Sequence, residues 1–176
     1  DIVLLKAIGI KLVLVQNTRH NVATNTLLVK SHAKCHDGRL ITTYELLGEI
    51  QAVANRFKEK ISSLIGQTQY RTMNQSLLIS GNFISAKPLG VSDGIDHKYT
   101  GNVRRINSEA IKNQLQLGAI VYLDNLAYSP TGQLYNLESE ELAAKVAVEL
   151  KADKLILFGK DPYCTEKNGD RISEMT

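Results

Sequence analysis

Apolar residues along this chain fall into two alternating patterns. Short unbroken runs, Leu12-Val13-Leu14-Val15 and Ala119 to Leu123, predict strands covered on both faces, as in a parallel sheet. Between them the spacing turns helical. Thr43 to about Lys60 sets Leu46, Leu47, Ile50, Val53, Ala54 and Phe57 on one face, with Thr43 placed to cap the helix. Ser139 to Lys151 carries a stripe of Leu142, Ala143, Val146, Ala147 and Leu150, supported by Glu141 and Lys145 four residues apart.

Weaker signals fill the rest. Asp1 to Ile8 reads as a helix stopped by Gly9, and Asn21 to Val29 as a second, faintly patterned one. Arg39 to Ile41, Leu77 to Ile79, Phe83 to Ala86, Asn102 to Ile106 and Leu155 to Phe158 read as strands. Asn107 or Ser108 caps a helix through Ala110, Ile111 and Leu115 that ends at Gly118. Ser129-Pro130-Thr131-Gly132 is a turn, so its flanks form a hairpin. Gln67 to Gln75 and Lys87 to His97 are expected as loops, and Asn168-Gly169 as a turn before a strand at Arg171 to Ser173. Helices alternating with apolar strands predict an α/β fold: a three-layer αβα sandwich around a mostly parallel sheet. Residues 1–176 are expected to form a single domain.

Composition removes several functions. The 176 residues carry a net charge of +3, with basic residues interleaved among acids, which does not suit nucleic acid. No apolar run approaches the roughly 20 residues that span a bilayer, and no secretory signal is visible. The two cysteines, Cys35 and Cys164, give no disulfide framework and point to the cytoplasm. The chain begins with Asp1 rather than Met and reads as part of a longer protein.

Chemistry-bearing motifs are few. Neither GxGxxG nor GxxxxGK[ST] occurs. His32, Cys35 and His36 match no standard zinc spacing, so no metal site is expected. Arg104 and Arg105 suit an anionic ligand, but neighbours in a strand face opposite ways, so at most one faces a given site. Tyr135 to Glu140 leads directly into the strongest helix, whose free N–H groups favour anions. The plainer reading makes Asn136 or Ser139 an N-cap, with Glu138, Glu140 and Glu141 matching the helix dipole.

One linked set of segments carries a resemblance: SGNF from Ser80, PLGV and DG-D from Pro88 to Asp96, RRI from Arg104, LGAIV from Leu117, and NLESEELA from Asn136. Together they resemble the amino-acid-kinase-like domain of bacterial N-acetylglutamate synthase, with N-acetylglutamate kinase a more distant relative. The resemblance implies an amino-acid-kinase-like fold, truncated here at both ends. It implies that the parent transfers acetyl from acetyl-CoA to glutamate in the first step of arginine biosynthesis. That chemistry would lie in a C-terminal acetyltransferase domain absent here. The kinase-like domain is then expected to bind arginine, to build a homo-oligomer and to need no cofactor.

Kinase chemistry is a separate question. Kinases of this superfamily hold phosphates with a Lys and a Gly pair, which would lie before Asp1, and with a His-Gly-Gly-Gly-Pro-like loop. This chain has Gln16-Asn17-Thr18-Arg19-His20 at the latter position, without a φ-permissive residue. By the same resemblance, Asn136 falls on the kinase's substrate-contacting Asn, and Glu140 on the Asp that organises its catalytic lysines. The extra methylene of Glu displaces a carboxylate by about 1 Å, and such misplacement costs about 100-fold. No catalytic residue is therefore expected in this chain. Asn136 and Glu140 are kinase-remnant positions, and Arg104 and Asn136 are candidate ligand contacts. An active acylamino-acid kinase and a ligand-free oligomerisation module are the alternatives.

Overall fold

The computed structural model describes residues 2–18, 34–36, 38–72 and 77–158, with backbone alone over 69–72. The first helix, α1 (Ile2–Ala7), precedes strand β1 (Val13–Val15). β1 joins β9 (Ile120–Leu123) and β4 (Leu78–Ser80) in a parallel sheet of order β1-β9-β4. Val13 lies opposite Val121, and Ile79 opposite Val121 from the other side. The central strand is buried throughout, which is why its sequence is an unbroken apolar run. The fold is α/β with a parallel sheet at its core, as the alternation of elements predicts.

A second unit sits beside this sheet. Strands β10 (Leu126–Tyr128), β11 (Leu134–Leu137), β8 (Thr100–Ile106) and β5 (Ile84–Pro88) pair in a closed ring. The predicted hairpin is β10–β11, with Leu126 opposite Asn136 and Tyr128 opposite Leu134. Helix α3 (Ser108–Gln116) is capped by Asn107, whose side chain accepts from the Ala110 N–H. It packs on β9, while α4 (Ser139–Leu150) packs on α3, β1 and β8. Ile111, Val121 and Leu142 are fully buried in the shared core, each contributing about 1.5–3 kcal/mol by leaving water. A smaller cluster gathers Leu46, Ile50 and Val53 of α2 (Tyr44–Thr72) against Leu40 and Leu126.

Three expectations are corrected. Helix α2 runs on to Thr72, so Gln67 to Thr72 is not loop. The connection after β5 contains its own hairpin, β6 (Val91–Ser92) and β7 (Ile95–Asp96). Its turn puts Asp93 and Gly94 at φ +50° and +77°, the left-handed pair that two-residue hairpins need. Leu155 to Phe158 is not a strand: it is irregular and exposed, with no described strand beside it. The predicted elements at 21–29 and 168–173 lie outside the described residues.

Candidate functional site

Open parallel sheets bind ligands outside the carboxyl ends of their strands. Here those ends are Gln16-Asn17-Thr18 after β1 and Asp124-Asn125 after β9. The two segments are joined from the start, since the Gln16 N–H donates to the Leu123 carbonyl at 2.8 Å. Gln16 and Thr18 are buried, with 4% and 1% of their surfaces exposed. The Tyr122 hydroxyl donates to Gln16 Oε1, and burial pushes that phenol's pKa up, with Asp124 adding to the effect.

From Thr18 a chain of neutral groups crosses the molecule. The Thr18 hydroxyl donates to Asn125 Oδ1 at 3.0 Å, and Asn125 Nδ2 to Asn136 Oδ1 at 2.7 Å. Asn136 Nδ2 donates to Thr42 Oγ1 at 3.0 Å, and the Thr42 and Thr100 hydroxyls lie 2.9 Å apart. Thr100 has one proton and its hydroxyl faces the Leu40 carbonyl, so Thr42 supplies the proton between the two hydroxyls. Every donor then points the same way along the chain, an order in which neighbouring bonds strengthen one another. The Thr42 N–H closes the far end on Thr100 Oγ1 at 3.0 Å.

This geometry revises the expected role of Asn136. It sits on β11, buried, and does not cap α4. The residue at the N-cap position is Glu138, with extended backbone and no side-chain cap bond, and Ser139 is the first helical residue. Glu140 lies exposed in the first turn, where Asn17 Nδ2 donates to its carboxylate at 2.7 Å. Asn136 and Glu140 thus belong to neighbouring parts of one region, tied to the β1 end by Thr18 and Asn17 respectively.

Sequence reasoning missed Thr42, Thr100, Asn125 and Arg39. The Arg39 guanidinium donates to Asn102 Oδ1 at 2.8 Å and to Glu141 at 2.9 Å. Burial acts to raise the Glu141 pKa, but Lys145 and Arg39 outweigh it and hold it below the usual value. Contacts across 63 and 102 positions leave no local pattern. Asp124 accepts from the Leu126 N–H, yet burial dominates and raises its pKa against the lowering influence of that bond and of Lys58.

Arg104 lies elsewhere. It is exposed on β8, four residues beyond Thr100, and with Arg105 lines a groove against α4. The expected alternation fails because the register jumps: Ser85 pairs with Arg105 and Ala86 with Val103, which leaves Arg104 as an extra, bulged residue. A bulge of this kind re-aims the side chains beside it.

Chemically, the buried chain consists only of amides and hydroxyls, so it supplies neither a general base nor a phosphate-binding cation. His36 and His97 place their rings 5.7 Å apart. Among the described residues no group of three His, Cys, Asp or Glu side chains is arranged to hold a metal ion. Among them, too, no helix is long and apolar enough to cross a membrane.

Comparison with known proteins gives the wider setting. The amino acid kinase family profile matches residues 2–174. The amino-acid acetyltransferase of Azotobacter vinelandii is 36% identical over 178 residues, covering 99% of this chain and 41% of that protein. N-acetylglutamate synthase from Neisseria gonorrhoeae, solved with coenzyme A and N-acetyl-glutamate, superposes with a TM-score of 0.81 and 31% identity. That match covers 96% of this chain and 38% of the synthase. The same synthase solved with coenzyme A and L-arginine gives a TM-score of 0.81 and 30% identity over 97% of this chain and 41% of that one. The chain therefore spans about two fifths of the length of these relatives.

Proposed function

The chain belongs to the amino acid kinase family, and on that premise we propose that it is the arginine-sensing, kinase-like domain of an N-acetylglutamate synthase. The parent protein transfers acetyl from acetyl-CoA to glutamate, in the cytoplasm and as the first step of arginine biosynthesis. That chemistry takes place outside residues 1–176, which form one regulatory domain without phosphotransfer activity. The domain binds arginine as an effector and contributes to a homo-oligomer.

The carrying observation is the closed end of the parallel sheet. Where a phosphate cradle needs bare backbone N–H groups, the chain has Gln16 and Thr18 buried, with Thr18 bonded to Asn125. Asn136, the kinase-remnant amide, has its side-chain oxygen and nitrogen engaged by Asn125 and Thr42. Glu140, the other remnant position, is engaged by Asn17 rather than by a lysine. A relative with 30% identity and matching fold, solved with coenzyme A and L-arginine, supports arginine as the effector.

Thermal unfolding with added ligands tests the reading. A ligand at 100 times its Kd stabilises by about 2.7 kcal/mol. L-arginine is expected to raise the melting temperature, and Mg-ATP is expected to leave it unchanged. A flat response to arginine, or a shift with Mg-ATP, overturns the proposal.

A further inference from the structure

We propose that the groove between the outer edge of β8 and helix α4 docks an extended acidic peptide segment, which joins β8 as an additional strand. Three observations carry this, and none depends on arginine sensing.

The first is an open strand edge. β8 pairs with β5 along one side from Gly101 to Ile106. On its other side β11 pairs only with Thr100 and Gly101. Among the described residues no strand covers that outer edge from Asn102 to Ile106, and extended backbone with open N–H and C=O groups recruits a further strand.

The second is charge. The bulge at Arg104 brings both Arg104 and Arg105 to the groove, and both are exposed with no ion pair or side-chain hydrogen bond to a described residue. Lys145 and Glu149 add one charge of each sign from α4. The lining therefore carries a surplus of positive charge, with two guanidiniums suited to bidentate capture of carboxylates.

The third is the floor. Val103, Ile106, Ala144 and Val148 give the groove apolar walls, and Val148 leaves 77% of its surface in water. The groove is open to solvent and offers about 430 Å³, room for a few residues of peptide. A strand alternates its side chains between faces. A segment alternating Glu or Asp with Val, Ile or Leu therefore places apolar groups on the floor and carboxylates on the arginines.

Fluorescence anisotropy on the whole chain tests this, using a fluorescein-labelled octapeptide of alternating Glu and Val at 0.15 M salt. Binding is expected, and the double variant Arg104→Glu, Arg105→Glu is expected to weaken it at least tenfold. The matching Lys-Val peptide, and a Glu-Val peptide N-methylated at alternate residues, are expected to bind at least tenfold more weakly. Should the double variant fail the circular-dichroism check of folding, Val148→Asp on the exposed face of α4 gives the same readout. No binding overturns the proposal. Equal binding of the N-methylated peptide overturns it too, because charge alone would then suffice. So does a chain dimer that blocks the peptide and is lost in the variant, because the occupant would then be a second copy.

Discussion

Asn17 Nδ2 donates to the Glu140 carboxylate at 2.7 Å, tying the end of β1 to the first turn of α4 across 123 positions of sequence. The bond joins two segments of the protein to each other. Glu140 also complements the positive end of the helix dipole. Replacing it by Gln removes the charge from both interactions. Urea unfolding is expected to show a loss of at most about 1 kcal/mol, because solvent screens an exposed charged contact.

Asn136 is expected to be far less tolerant. In Asn136→Leu the Asn125 amide loses its acceptor and Thr42 Oγ1 loses a donor, both in buried surroundings. Each orphaned group costs about 1–3 kcal/mol. Denaturant unfolding should therefore show a loss several times that of Glu140→Gln. A double-mutant cycle with Asn125→Leu should show strong coupling, since the second change removes a group already orphaned by the first.

Asp124 gives a pH signature. Burial raises its folded pKa above the unfolded value of about 3.9. A raised carboxyl contributes stability that is full below the unfolded pKa and lost as pH rises through the folded one. Asp124→Asn keeps an acceptor for the Leu126 N–H without the buried charge. It is expected to stabilise the chain at pH 7, with the gain shrinking as pH falls through the folded pKa. Unfolding curves across pH 3–8 read this directly.

Gly101 holds three strands together by having no side chain. A Cβ there would meet Tyr135 Cβ at 2.7 Å and the Lys87 carbonyl at 2.9 Å. Its neighbours are β11 and β5, so neither contact relaxes without moving a strand. Gly101→Ala is expected to cost about 1–3 kcal/mol, the range for overpacked cores, read as a lowered urea midpoint with unchanged slope.

The parts of this fold legible in sequence are those whose signal is local. The Asn107 cap, the Ser129 to Gly132 turn and the α4 stripe each follow from residues a few positions apart. The extension of α2 to Thr72 was hidden because Gln67 to Thr72 is polar and has no stripe to betray a helix. Leu155 to Phe158 looked like a strand because apolar runs normally find a partner, and none lies beside it among the described residues.

The site was legible only in outline. The segments after β1 and before α4 stood out through turn chemistry and family resemblance. Their joining depends on Asn125, which bonds Thr18 from 107 positions away and Asn136 from 11, a link no local pattern contains. Asn136 suited a cap by residue type, but pairing with Leu126 fixed it in a strand with its amide turned inward. The bulge at Arg104 likewise came from β5 register, which one strand's sequence does not contain.

The central claim is that this kinase-like domain senses arginine and carries no phosphotransferase site. Calorimetric titration of L-arginine into the parent polypeptide, with Mg-ATP titrated in parallel, tests it most directly. Saturable heat with arginine and none with Mg-ATP is the predicted result. Saturable heat with Mg-ATP, or no heat with arginine at millimolar concentration, would contradict it.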